Sequence, residues 1–348
     1  MVAIALLFAP MPVRADDAPQ HILSFDGGTA WLNSKPLTTA DLRGKVVLVD
    51  FWEYTCINCL RTLPYLRTWW KRYGADGFVI VGVHTPEFGF SGEDKNVAAA
   101  TQRLDIGWPV VLDSRETIWN RYGNEVWPHE LLYDQKGNLV ESMEGEGGYP
   151  ETEAKIQALL RAANRSLQLP PVMALLPQDS YDRPGALCYP KTGEIYAGGE
   201  RGHIANAPIS LASKSPETQY VDTVTDPVDG EIYLAGYWRR TPQAMVSADN
   251  SGRFTLKYHA IQVVTVMRPE EGSPVEVVVE QDGMPLAHDD AGSDVKYDAQ
   301  GRSYVLVDAP RAFDVVDNKK WGSHVLQLLP QHYGLGVYSF DFESCEAS

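Results

Sequence analysis

Two continuous apolar runs constrain this chain more than any other feature. "VVLVDFW" occupies residues 46–52 and "GFVIVGVH" residues 77–84, and neither alternates polar with apolar positions. Strands that read this way are buried on both faces, as in a sheet covered by helices on each side. Between them Cys59, Leu63, Leu66, Trp70 and Tyr73 recur at helical spacing and give one apolar stripe. The alternation continues. "SGEDKNVAAATQRLDIG" reads as a helix closed by Gly107, "WPVVLD" as a third strand, and "SRETIWNRYG" as a helix with Ser114 as N-cap and Gly123 after it. "HELLYDQKGNLVESMEG" reads as a hairpin turning at Lys136-Gly137-Asn138, and "PETEAKIQALLRAAN" as a helix with Pro150 in its first turn.

Helical patterning ends at "SLQLPPVMALLPQDSYDRPG" (166–185), a Pro-rich stretch without clean periodicity. Beyond it lie eight short strand signals: "EIYAGG", "EIYLAGYW", "RFTLKYHA", "IQVVTVMR", "VEVVVEQDG", "RSYVLVD", "HVLQLLP" and "GVYSFDFE". Regular short strands with turn residues between them point to an all-β sandwich, jelly-roll-like. At 348 residues the chain is long enough for both units. The expected division is a signal peptide at 1–15, an α/β domain at 17–165, a linker at 166–184 and the β-sandwich at 185–348.

The opening "MVAIALLFAPMPVRADDAPQ" has an apolar stretch from Val2 to Pro10 and a small residue at Ala15 before polar sequence. It resembles a secretory signal cleaved after Ala15, which predicts a periplasmic or extracellular location. Arg14 is its only cation and lies on the wrong side, so a natural start further upstream would supply the missing positive region. The formal charge of −16 argues against nucleic acid as a partner, because phosphates would be repelled.

"DFWEYTCINCLRTLP" carries two cysteines three apart on the strand-to-helix turn. A four-coordinate zinc needs two further soft ligands nearby, and the remaining cysteines, Cys188 and Cys345, lie in the second domain. No metal site is expected. A redox pair accounts for the arrangement better. A thiol opening a helix meets the positive end of the helix dipole, which favours its thiolate, so Cys56 is the expected nucleophile. Cys59 stands one turn on, on the same face, and is the expected resolving thiol. Pro64 would kink a plain amphipathic helix.

From Val46 to Pro64 the segment resembles the active-site stretch of thioredoxin, apart from the Ile57-Asn58 pair between the cysteines. Over residues 40–165 the chain is similar to DipZ-type, AhpC/TSA–redoxin-related (TlpA-like) proteins. In that family a β-rich, carbohydrate-binding-module-like domain follows the redox domain, and "YVLVDAPRAFDVVDN" and "GVYSFDFE" look like its closing strands. The resemblance implies a thioredoxin-like α/β domain and a thiol–disulfide oxidoreductase with no cofactor beyond a Cys56–Cys59 disulfide. It places the family's buried acid at Asp50, where a raised pKa would let it relay the Cys59 proton. It places the cis-proline at Pro128 and leaves the Trp127 backbone free to pair with an extended substrate peptide. Thr55, Ile57 and Asn58 complete the expected substrate contacts. The implied partners are disulfide-containing proteins, a separate membrane thiol electron donor, and a glycan on the β-sandwich.

Other readings fit less well. Peroxiredoxin chemistry needs Pro and Thr at the offsets that Val49 and Glu53 occupy, and Thr55 stands at the wrong one. His84 and Glu87 follow the second strand, where α/β sites lie; His84 could tune the thiolate or contact a partner, but a hydrogen-bonded loop histidine is the simpler expectation. Glu53 could likewise modulate the cysteines electrostatically, although a solvated charge is the default expectation. Cys188 and Cys345 either meet as a disulfide or remain two thiols. Tyr237, Trp238 and Trp321 could stack on a sugar or pack into the fold. "DDAGSD" (289–294) lacks EF-hand spacing and reads as a solvated turn. A binding protein with a redox-sensing module is the rival to an enzyme. Ile57-Asn58 offers no cation that would stabilise a thiolate and favour an oxidant, so a reductant is expected.

Overall fold

The computed structural model describes residues 18–177, 179, 186–207, 217–270 and 272–346. The expected signal peptide lies outside them, as does part of the Pro-rich stretch. The first half is an α/β domain around a six-stranded sheet in the order β1-β4-β3-β2-β5-β6. Its strands are β1 (Ala30–Leu32), β2 (Val46–Trp52), β3 (Phe78–His84), β4 (Val110–Leu112), β5 (His129–Tyr133) and β6 (Leu139–Glu144). Helices α1 (Ile57–Tyr73), α2 (Asp94–Arg103), α3 (Thr117–Tyr122) and α4 (Tyr149–Ala163) connect and cover them.

β2 is buried along its whole length because the sheet is covered on both sides. Val46, Leu48 and Trp52 pack towards α1 and α4, whereas Val47, Val49 and Phe51 face Ile118 and Tyr122. The buried side of α1 carries Cys59, Leu63, Leu66, Trp69 and Tyr73. The stripe therefore runs through Trp69, with Trp70 only partly covered. Helix α3 starts later than Ser114 suggested, at Thr117. The Asp113 carboxylate accepts from the N–H groups of Ile118 and Trp119 (2.7–3.0 Å) and displaces the serine as the capping group. Residues 167–176 do not hang free: Leu167, Leu169, Met173, Leu175 and Leu176 pack on the core of the first domain.

The second half is all-β. Among the described residues eleven of its strands join in one continuous antiparallel sheet, and Leu187–Cys188 pairs with Cys345–Glu346 in a separate two-stranded one. "RFTLKYHA" and "IQVVTVMR" belong to a single strand, Arg253–Pro269, and "HVLQLLP" is the end of a 20-residue strand, Arg311–Pro330. These two long strands pair, with register shifts between Ala260 and Gln262 and between Val263 and Val264. Phe254 stacks within 5.3 Å of Phe340, yet Phe340 pairs with Thr265, eleven residues further along the same strand. A straight strand of that length would separate them by about 36 Å, so the bulged sheet folds over on itself around one apolar core. A disulfide, Cys188–Cys345, ties the two ends of the domain together.

The two halves share buried surface. Phe88 and Phe90, in the loop after β3, pack edge-on against Tyr338 of the β-domain (5.2 and 4.8 Å). Arg61 on α1 reaches Gln262 (2.5 Å) and Glu343 (3.4 Å), and Gly89 N–H donates to Gln243 (2.9 Å).

Candidate active site

Cys56 is the N-cap of α1 and Cys59 lies one turn inside it; both are thiols. The Cys59 N–H donates to the Cys56 sulfur at 3.3 Å, so the outer thiol receives a backbone donor at the positive end of the helix. Cys56 is part-exposed, whereas Cys59 is fully buried. Burial pushes the Cys59 thiol well above its ordinary value, and the hydrogen bond with Cys56 adds to this.

Asp50 lies behind the cysteines. It is fully buried, and burial pushes its carboxyl up to about 7. Asp50 pairs across strands with Glu130, so both side chains leave the same face of the sheet, the face that packs on α1. Burial first, and then the neighbouring Asp50 and Glu141 charges, hold Glu130 well above the carboxylate range. None of the four oxygens of this pair has a hydrogen-bond partner. Glu130 carried no signal in the sequence beyond alternation within a hairpin strand; its register opposite Asp50 exists only once β2 and β5 pair.

The Trp127–Pro128 peptide is cis. Thr55, Cys56, Asn58, Glu125, Val126 and Trp127 form one wall of a cleft of about 300 Å³. Glu194, Tyr196, Arg201, Ser339 and Asp341 of the β-domain form the other. Ile57 opens instead on a neighbouring cleft between the domains, with Tyr54, Arg103 and Arg311. The structure thus brings Cys56, Thr55, Asn58 and Trp127 together and turns Ile57 away.

Two sequence expectations change. Glu53 is not a solvated charge: it is fully buried and accepts from Thr55 N–H (2.5 Å), the Thr55 hydroxyl and Cys56 N–H (3.1 Å). His84 is not a hydrogen-bonded loop residue. It ends β3, is fully buried, and neither ring nitrogen has a hydrogen-bond partner. Glu87, in the loop after β3, reaches across to the β-domain and accepts from Tyr196 (2.8 Å) and Arg201 (2.9 Å). Among the suggested sugar-stacking residues, Trp238 is fully buried and donates to the Ala235 carbonyl, so it offers no face to a ligand. Trp321 stacks on Tyr189.

A thioredoxin-like fold with a helix-capping cysteine, a second, buried cysteine one turn on and a buried acid defines the class of thiol–disulfide oxidoreductases. Comparison with known proteins agrees. Residues 16–142 match the AhpC/TSA family, and residues 192–342 match the thioredoxin-like C-terminal domain family. The protein DipZ of Mycobacterium tuberculosis is 32% identical over 329 residues, covering 91% of this chain and 42% of DipZ. The thiol-disulfide oxidoreductase ResA of Geobacillus thermodenitrificans is 30% identical over 129 residues, covering 37% of this chain and 67% of ResA. The chain belongs to the thioredoxin-like thiol–disulfide oxidoreductases, and along most of its length it is similar to DipZ. It spans about two fifths of the length of the DipZ relatives it matches. No helix among the described residues is long and apolar enough to cross a membrane.

Proposed function

We propose that this chain is an exported reductant of protein disulfides. The reduced Cys56 thiolate attacks one sulfur of a substrate disulfide lying in the cleft beside Trp127 and Pro128. A mixed disulfide forms and the first substrate thiolate leaves. Cys59 gives up its proton and attacks the Cys56 sulfur, which releases the second substrate thiolate and leaves Cys56–Cys59 oxidised. A carboxyl held at about 7 is divided between its two protonation states at neutral pH, which suits Asp50 to accept that proton. Two electrons from a separate membrane thiol donor restore the dithiol.

The observation that carries the direction is the buried acid pair, Asp50 and Glu130, on the face that covers Cys59. Among the described residues neither carboxyl forms an ion pair with Lys or Arg. The ionised form of Asp50 raises the free energy of a thiolate near it, which works against the reduced form and suits an electron donor. Export accords with the Cys188–Cys345 bridge, because disulfides persist in oxidising compartments.

The test is turnover of insulin disulfides together with the reduction potential of the Cys56–Cys59 couple. A value near −270 mV, as in thioredoxin, is expected, and one near −120 mV, as in strong oxidants, would overturn the direction. The Cys59→Ser variant should accumulate mixed disulfides on Cys56, and Cys56→Ser should form none.

A further inference from the structure

Glu53 raises a question that the cysteines do not answer. It follows β2 directly and is fully buried, and its Oε2 gathers three donors from Thr55 and Cys56. Its Oε1 accepts no hydrogen bond and lies 3.7 Å from Nε2 of His84. His84 is itself fully buried, stacked on Tyr54 (5.5 Å) and edge-on to Trp52 (5.1 Å). These rings confine the imidazole, and the imidazole confines the free carboxylate oxygen. Burying a carboxylate costs several kcal/mol unless its hydrogen bonds and charge are compensated. A neutral Asn or Ser would tie the same turn at lower cost. The charge therefore needs a reason of its own.

We propose that Glu53, oriented by His84, is the positioning residue that sets the reducing poise of the Cys56–Cys59 couple. This rests on the reductant reading above. Reduction of the Cys56–Cys59 bond takes up two electrons and one proton, leaving Cys56 as a thiolate and Cys59 as a thiol. Glu53 acts on that thiolate in two ways of the same sign. Its negative charge sits on the Cys56 amide and repels charge on the sulfur. It also commits the Thr55 and Cys56 N–H groups to itself, which leaves the Cys59 N–H as the backbone donor to the Cys56 sulfur. Both effects raise the free energy of the dithiol form relative to the disulfide, so the electron pair passes outward to a substrate disulfide.

Equilibration of the full chain with glutathione redox buffers, alongside ultraviolet titration of the Cys56 thiolate, tests this. Glu53→Gln keeps an acceptor oxygen and removes the charge. The equilibrium constant for reduction by glutathione is expected to rise about tenfold, equivalent to ~30 mV less reducing, with Cys56 deprotonating at lower pH. Glu53→Asp, which keeps the charge, is expected to change the constant less than threefold. Equal shifts for Gln and Asp, or a folded Glu53→Gln with an unchanged constant and titration, would reduce Glu53 to a strut of the turn. Should Glu53→Gln fail to fold, His84→Gln carries the test. It sets an amide donor against Oε1 and draws charge from Oε2, so a rise of at least twofold is expected and an unchanged constant overturns the proposal. The constant of the parent protein tests the reductant reading, whereas differences between variants test Glu53, and either can fail alone.

Discussion

Asp50 and Glu130 are partners in the antiparallel register of β2 and β5, both fully buried and both without a hydrogen-bond partner. Two acids in such a place oppose folding whenever they are ionised, because the interior offers them neither water nor a cation. They leave the face of the sheet that packs on α1, the helix that carries Cys59.

Asp50→Asn should therefore stabilise the fold while slowing turnover. The folded carboxyl titrates at about 7, against an ordinary value near 3.9 when unfolded. Between those two values the folded chain holds a proton that the unfolded chain has lost, so this group's contribution falls as pH rises and is fully lost above 7. The difference between variant and parent in denaturant titrations is expected to grow from about pH 4, level off above 7, and reach up to roughly 4 kcal/mol. A difference that does not vary with pH would contradict the assignment.

Glu130→Gln removes the ionisable group that faces Asp50. Combined with Asp50→Asn, the gains in stability should not add, since either substitution relieves the same repulsion. A coupling of about 0.5–3 kcal/mol is expected from the double-mutant cycle at pH 8. Strict additivity would mean that the two acids do not interact.

Removing the Cys188–Cys345 bridge by substituting alanine for both residues should cost roughly 2–5 kcal/mol, since the bridge closes a loop spanning 157 positions. Insulin turnover at temperatures where the variant stays folded should match the parent. A fall in turnover there would implicate this bridge in the redox cycle.

Phe90→Ala should destabilise both halves together. The ring is 2% exposed and lies between the first domain and Tyr338. Its loss should cost about 3–5 kcal/mol. In calorimetry the parent is expected to unfold in one transition, and the variant to begin separating into two.

Much of the first domain was legible because its signals are local. β2 and β3 are uninterrupted apolar runs, and the Cys56-x-x-Cys59 spacing falls at a strand-to-helix turn that fixes what the sulfurs can do. The short strand β1 escaped notice, since three residues such as Ala30–Leu32 carry no period. Glu53, His84 and Glu130 were misjudged or missed for a common reason. A charged residue in sequence defaults to the surface, and only the pairing of β2 with β3 and β5 buries these three. In the second half the strands themselves were visible, but their joining was not. The run from Arg253 to Pro269 reads as two strands because the bulge after Ala260 interrupts its alternation, and that same bulge lets the sheet fold.

The cleft at Cys56 has a consequence for the kinds of cystine this protein can meet. Its opposite wall is fixed to the redox domain through Glu87, Tyr196 and Arg201. A space of about 300 Å³ is small even for a ligand pocket and admits only a few side chains at once. A disulfide set in the flat flank of a folded globule is expected to meet the β-domain wall before it reaches the sulfur. A disulfide at the tip of a protruding loop, or in a chain that has not finished folding, can reach it. On the function proposed above, the β-domain is expected to gauge shape, favouring a cystine that projects from its own protein.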